Sequence, residues 1–367
     1  VGLTVNGKDG KGVGYFESDA GRMRLTPRHF AYLRISEGCN QACAFCTIPS
    51  IRGKMRSKPL EAIAAEAREL CADGARELCL IGQDTTSYGD DIGQGWNDQT
   101  RSGGLPELLR TVCAVADEAT RADGLQRWVR LMYAYPSNFR DEFIESFADL
   151  CAESCLVPYI DIPLQHASDA MLTAMRRHVG AAQQSELIHK LRERIPGLAV
   201  RTTFISGFPG ESDEDHQALL DFIEEHAFEA VGVFEYSKEE GTPAGTMEAN
   251  PELAVPARTK RERKSEIMAL QQALAFEQAE FLADQFDPED PADSGLRLDV
   301  LIESAAGVSE DGTPVYKGRA YFQAPQIDSV VLVHSLEKLP IGDFTRCAVV
   351  DSDGYDLIAV PEPDLTA

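Results

Sequence analysis

Three cysteines define the chemistry this chain can do. Cys39, Cys43 and Cys46 stand in the run Ser36-Glu-Gly-Cys-Asn-Gln-Ala-Cys-Ala-Phe-Cys-Thr-Ile-Pro49, a C-x3-C-x2-C spacing. Three thiolates in one short loop can hold three irons of a [4Fe–4S] cluster. The loop offers no fourth ligand, and one open iron is what a reactive cluster needs; four cysteines would make a closed electron carrier. A structural zinc would want a fourth Cys or His close by, and His29 is the nearest candidate. The other six cysteines, at 71, 79, 113, 151, 155 and 347, lie scattered in apolar stretches and read as small buried hydrophobes. The count is odd and no secretory segment is present, so a disulfide framework is not expected.

Regular alternation of elements must position that loop. A strand pattern over 30–36 runs straight into it. Further strand patterns cover 77–81, 128–133, 157–162, 198–206 and 230–236. Helical spacing fills the gaps at 60–72, 105–119, 142–152, 169–175, 183–194 and 214–226. About six such β/α units predict a parallel sheet with covering helices, and active groups at the carboxyl ends of its strands. A long charged helix is predicted over 257–285. It opens on Arg258, Lys260, Arg261, Arg263 and Lys264, the densest basic run in the chain, which reads as a solvated face. Pro/Asp-rich residues 287–293 break it. Short strands then recur at 296–303, 315–321, 329–334, 344–350 and 355–360, the pattern of a small closed β-barrel. The expected organisation is therefore a glycine-rich linker or tail of a preceding unit at 1–27, a core at 28–285, a linker at 286–294 and a barrel at 295–367.

Composition narrows the partners. The 367 residues are 43% hydrophobic and 26% charged, a globular balance, and no run of about 18 apolar residues exists to span a membrane. Lys+Arg number 35 against 60 Asp+Glu, a net charge of −25. Phosphate backbones are repelled by such a chain as a whole, so a protein or small molecule is the expected partner. Residues 295–367 are more one-sided still, with five basic side chains against twelve acidic.

The run Tyr32-Leu-Arg-Ile-Ser-Glu-Gly-Cys-Asn-Gln-Ala-Cys-Ala-Phe-Cys-Thr-Ile-Pro-Ser-Ile-Arg-Gly53 resembles radical S-adenosylmethionine (SAM) enzymes. With Arg56-Ser-Lys-Pro59 it narrows to the methylthiotransferases, the family of RimO and MiaB. Four segments resemble the RimO branch: Leu80-Ile-Gly-Gln-Asp-Thr-Thr-Ser-Tyr-Gly89, Tyr159-Ile-Asp-Ile-Pro-Leu-Gln-His166, Thr203-Phe-Ile-Ser-Gly-Phe-Pro-Gly-Glu211 and Phe234-Glu-Tyr-Ser-Lys-Glu-Glu-Gly-Thr242. The last barrel is similar to a TRAM domain, notably over Tyr316-Lys-Gly-Arg-Ala-Tyr-Phe-Gln-Ala-Pro-Gln-Ile-Asp328. The resemblance implies a partial (β/α)6 radical SAM barrel followed by a TRAM barrel.

It also implies an activity. RimO-like enzymes add a methylthio group to the β-carbon of an aspartate in small-subunit ribosomal protein S-twelve, with an electron donor. MiaB-like relatives modify tRNA, and the acidic balance fits the protein target better. The implied cofactors are a [4Fe–4S] cluster on Cys39, Cys43 and Cys46, and SAM at the open iron. A second [4Fe–4S] cluster is expected in an N-terminal domain, which would precede this chain. Without that domain the chain is expected to cleave SAM but not to complete methylthiolation. A cluster used only for structure or electron transfer is the reading from another class.

For the site, the resemblance implies that Phe45 packs by the cluster and that Gln83 and Asp84 meet the SAM amino group. Arg130 or Arg201 is expected at the SAM carboxylate. Ile205 and Gly207 fit the adenine side, Gln165 and His166 line the site, and Arg52 reaches the cluster or substrate. No acid–base catalyst is singled out. Reduced thiols, no export segment and a ribosomal target imply a cytoplasmic location.

Overall fold

The computed structural model describes residues 23–100 and 102–366. Of the expected leading linker, 1–22 lie outside the described residues, and 23–27 carry neither helix nor strand. Six strands form one sheet: β1 (Phe30–Arg34), β4 (Glu77–Ile81), β5 (Trp128–Leu131), β6 (Leu156–Asp161), β7 (Ala199–Ser206) and β8 (Ala230–Glu235). They lie side by side in chain order, every pair parallel, with β1 and β8 as edges. Two-residue strands β2 (Ser36–Glu37) and β3 (Arg56–Ser57) pair with each other and clasp the cysteine loop, which contains the short helix α1 (Ile48–Ile51).

Alternation along the strands sets two faces. Leu78, Leu80, Val129, Leu131, Ile160, Val200 and Phe204 form one apolar core with the helices outside the sheet. Those helices are α2 (Leu60–Ala72), α3 (Gly104–Asp123), α4 (Asp141–Glu153), α6 (Ala181–Arg194) and α7 (Asp213–His226), whereas α5 (Asp169–Ala174) packs its Met171 with Ala44 of the cysteine loop. In α2 the buried stripe is Ile63, Ala64, Ala67 and Cys71, the i, i+1, i+4, i+8 spacing of one helix face. The other sheet face is polar: Glu77, Arg130, Tyr159, Asp161 and Arg201 meet one another there.

After α8 (Pro243–Glu248), α9 (Ala257–Ala283) links the two halves of the molecule. Its Ile267 belongs to the core under the sheet, and its Ala279 and Ala283 to the core of the terminal barrel. The basic run at its start corrects the solvated-face expectation in part. Arg258 is exposed, but Lys260 and Arg263 are buried. Lys260 pairs with Glu248 at 2.8 Å and Arg263 with Asp213 at 2.6 Å.

The terminal strands β9 (Arg297–Val308), β10 (Pro314–Arg319), β11 (Val331–His334), β12 (Phe344–Asp353) and β13 (Asp356–Pro361) close into a barrel in the order β10-β11-β13-β12-β9. This barrel caps the amino-terminal ends of the core strands. Trp128, at the start of β5, packs on Phe344 with ring centroids 4.5 Å apart. Glu77, at the start of β4, is reached by Arg319 at 2.6 Å. The carboxyl ends, where the cysteine loop lies, point the other way.

Candidate active site

The cysteine loop leaves β2 through Gly38, whose φ is +80°. A Cβ there would lie 2.6 Å from the Gly53 carbonyl, so the turn demands glycine. Cys39 N–H then donates to that carbonyl at 3.3 Å and closes the loop's base. Midway round, Ala44 is held on both sides. Its N–H donates to Met175 O, and its carbonyl accepts from Ala244 N–H, each at 2.9 Å.

The three thiols border one cavity of about 150 Å³, together with Phe45, Gln83, Tyr133, Tyr135, Gln165 and Arg177. Each sulfur also accepts a hydrogen bond: Cys39 from Gln41 N–H and Cys46 from Ile48 N–H at 3.4 Å, Cys43 from the Arg177 guanidinium at 3.5 Å. Donors aimed at sulfur suit thiolates in a cluster, whose charge such bonds offset. Burial pushes the free Cys39 thiol up to about 11 and raises Cys46 as well, so these thiolates need a cation to exist at neutral pH.

A single zinc ion does not fit. Tetrahedral ligands about 2.3 Å from zinc lie about 3.8 Å apart. Among the described residues the one triad of candidate ligand atoms within 4.8 Å of one another is His189, Glu225 and His226. The three cysteine sulfurs are therefore spread wider than one ion allows. His29 is also elsewhere, buried against Glu303 of the terminal barrel at 3.3 Å. A multinuclear cluster fits the donor set.

Of the residues expected around it, Phe45, Gln83 and Gln165 do line the cavity. Gln83 Oε1 accepts Gly38 N–H at 2.6 Å. Gln165 has φ +75° and neighbouring Tyr133 φ +60°. Two non-glycine residues in the left-handed region at one cavity are stored strain, a mark of function. Asp84 is a correction. It is 1% exposed and does not line the cavity; its oxygens accept from Gln41, Thr86 and Ser87 at 2.7–2.9 Å. It braces the loop from behind.

Arg130 and Arg201 are corrected too. Arg130 is fully buried, bonds Glu77 and the Tyr321 carbonyl at 2.6 Å and stacks on Tyr159. Arg201 bridges Asp161 at 3.2 Å and Asp328 at 3.3 Å. Both are held by carboxylates on the polar sheet face and by the terminal barrel, so neither is available to a SAM carboxylate. Ile205 lies beneath the cavity, in an apolar cluster with Ala44, Phe45, Met171 and Phe208. Gly207 donates its N–H to Glu211 and abuts Lys260. His166 is fully buried, and Nδ1 accepts from Ala167 and Ser168 N–H at 2.9 and 3.0 Å. Burial depresses it to about 4, so it is neutral and fixes the turn after Gln165. Arg52 is 57% exposed and pairs with Glu37 at 3.2 Å.

Arg177 and the two tyrosines were not anticipated. Arg177 follows a left-handed Arg176 (φ +57°), the residue just after the α5 C-cap Met175, a place glycine usually marks. A larger cavity, about 1080 Å³, lies between α9, the sheet and the terminal barrel and is lined by no cysteine.

A three-cysteine loop at the carboxyl end of the first strand of a six-stranded parallel sheet defines a radical SAM enzyme. The Radical SAM superfamily pattern matches residues 33–223 and the TRAM domain pattern residues 295–361. The chain is 40% identical over 353 residues to the ribosomal protein uS12 methylthiotransferase RimO of Lachnoclostridium phytofermentans, covering 96% of this chain and 72% of that protein. It is 42% identical over 343 residues to the RimO of Geotalea uraniireducens, covering 94% and 68%, and 41% over 337 residues to that of Caldanaerobacter subterraneus, covering 92% and 68%. The chain belongs to the RimO family of radical SAM methylthiotransferases, an enzyme family whose cofactors are a [4Fe–4S] cluster and SAM.

Proposed function

We propose that this chain carries out the radical SAM chemistry of a ribosomal protein uS12 methylthiotransferase, with Cys39, Cys43 and Cys46 as the cluster ligands. The observation that carries this is the single cavity bordered by all three sulfurs, each with its own N–H donor. When bound, the cluster and SAM supply one-electron chemistry for an unactivated carbon, here the aspartate β-carbon that the family modifies, which acid–base groups cannot provide. The protein's residues do the rest. The thiolates of Cys39, Cys43 and Cys46 would hold the cluster. Gln83 and Gln165, which line the same cavity, would offer amides to the polar groups of SAM. Phe45, Tyr135 and Pro163 wall the cavity against water. Neutral His166 and braced Asp84 keep the flanking turns in place without adding charge to the cavity wall.

We further propose the division into a core at 28–285, a linker at 286–294 and a terminal domain at 295–367. A protein target, not tRNA, is supported by the terminal domain's charge. Of its five basic residues, Arg297, Arg319 and Arg346 are already engaged by carboxylates, which leaves little to neutralise phosphates. An external one-electron donor and a cytoplasmic location complete the proposal. No helix among the described residues is long and apolar enough to cross a membrane.

The test is anaerobic reconstitution with iron and sulfide, then dithionite and SAM, with 5′-deoxyadenosine measured by mass spectrometry. We expect product from the parent and none from Cys43→Ala. A fully loaded parent that releases none refutes the catalytic reading. Binding to uS12 and to tRNA, each across a salt series, tests the target; tight, steeply salt-dependent tRNA binding without uS12 binding reverses the assignment.

A further inference from the structure

The three cluster sulfurs are not equivalent. Cys39 and Cys46 receive backbone N–H groups from residues two positions ahead in the same loop. Cys43 instead receives Nη1 of Arg177, 134 residues away. Arg177 brings a full positive charge, where the others bring only amide dipoles.

Nothing about Arg177 suggests a chance approach. Its side chain is 8% exposed. Nη2 donates to the Pro163 carbonyl at 2.7 Å, and the guanidinium carbon lies over the Tyr135 ring, 4.1 Å from its centroid. The backbone that delivers it is equally determined. Arg176 adopts the left-handed conformation that L side chains avoid, and Arg177 N–H closes the helix end on Leu172 O at 2.8 Å. Met175, two residues before Arg177, offers its carbonyl to Ala44, between Cys43 and Cys46. One turn thus fixes both the loop and the guanidinium. Among the residues lining the cavity Arg177 is the one cation, and among the described residues no carboxylate pairs with it as carboxylates pair with Arg130 and Arg201. Its Nε, buried, has no hydrogen-bond partner.

We propose that Arg177 is a positioning residue that sets the reduction potential of the cluster through the Cys43 sulfur. This rests on the reading of Cys39, Cys43 and Cys46 as cluster ligands. Reduction adds one electron to the cluster, and much of the added charge spreads to its sulfurs. A cation and an N–H fixed at one of them stabilise the reduced form more than the oxidised form and raise the potential. The cluster must be reduced before it can act, so the residue controls how readily it is primed. Because the guanidinium is held by Tyr135 and Pro163, the bond needs no rearrangement when the charge arrives.

The experiment is an EPR-monitored redox titration of the reconstituted protein, with iron and sulfide quantified. Arg177→Gln is expected to shift the reduction equilibrium about tenfold toward the oxidised cluster, which for one electron is 59 mV. Arg177→Lys keeps the charge but loses the planar fork that Tyr135 and Pro163 hold; it shifts the same way and less. Arg52→Gln, the same charge deletion at an exposed side chain paired with Glu37, leaves the potential in place. Unmoved potentials in both Arg177 variants, at full iron load, overturn the assignment. So does an equal shift in Arg52→Gln, which means any nearby charge suffices. If Arg177→Gln does not retain iron, Arg177→Lys decides by the same criterion. A parent that takes up no four-iron cluster overturns the cofactor reading itself, and Arg177 with it.

Discussion

The two ends of the core sheet solve opposite problems with the same residue types. At the amino end, charge is dense and paired. Glu77, with no exposed surface, accepts from Arg130 and Arg319 at 2.6 Å each, and Arg319 reaches on to Glu303 at 2.8 Å; farther along the same face Arg201 lies between Asp161, which ends β6, and Asp328. At the carboxyl end the cavity wall is amides, phenols and thiols, with one arginine and no carboxylate. Buried ions are tolerated only with partners. The amino end has them within the chain, half supplied by the terminal barrel. The carboxyl end leaves its thiols and its guanidinium for something bound. The difference separates what holds the molecule together from what it acts with.

The comparison breaks most visibly if Glu77 is removed. Burial acts to raise this carboxyl, but Arg319 and Arg130 outweigh it and hold it down at about 2. Glu77→Ala leaves two arginines buried without their shared carboxylate, and we expect a loss of about 3–5 kcal/mol in chemical denaturation. A loss below about 1 kcal/mol means that water enters and that the end is not sealed.

Acid tests the carboxyl end next. His166 is neutral in the fold because burial lowers it to about 4 from 6.5. As pH falls below 6.5 the unfolded chain takes the proton first, so stability is lost between pH 6.5 and 4 and levels off below. The loss is on the order of 3 kcal/mol at most. Asp161 and Glu211, which burial pushes up, work in the opposite sense, and His226, which burial also lowers to about 4, works in the same sense, so the His166 share is read as the difference between parent and variant. His166→Asn, which retains an acceptor for the two backbone N–H groups, is expected to flatten the denaturation free energy between pH 6.5 and 4.5. An unchanged slope assigns the loss to another group.

Strain gives a smaller signal of opposite sign. Gln165→Gly relieves a left-handed residue and is expected to stabilise the fold by roughly 1 kcal/mol, while weakening SAM binding measured by equilibrium dialysis. Stabilisation without any loss of binding separates the strain from the site. The smallest effect is on the outside of the terminal barrel. Arg346 and Asp299, 3.3 Å apart and both more than a third exposed, are worth less than about 1 kcal/mol, so Arg346→Ala is expected to leave the melting temperature nearly unchanged.

Much of this was legible in the sequence. Residues 60–72 and 77–81 show their periods plainly, and those elements form at those residues. The cysteine loop announces itself by spacing. Arg130 and Arg201 were not legible, because a cation on a strand has the same pattern whether it faces a ligand or a carboxylate from another domain. Only the docking of Asp328 and Tyr321 decides it. Asp84 misled for a related reason: the strand end is right, but its side chain turns to Gln41, Thr86 and Ser87. Arg177 was invisible because its turn carries an arginine where a glycine would have flagged the reversal.

The two hydrogen bonds on Ala44 bear on when the protein can be metallated. The loop is synthesised early, yet the groups that hold it, Met175 O and Ala244 N–H, are added far later. Until the ribosome has passed Ala244 the three thiols belong to an unclamped peptide. Iron delivered to the nascent chain meets separate cysteines, and iron delivered after release meets an assembled cradle. The cradle for the cluster is therefore complete only once the chain through Ala244 has folded around the loop.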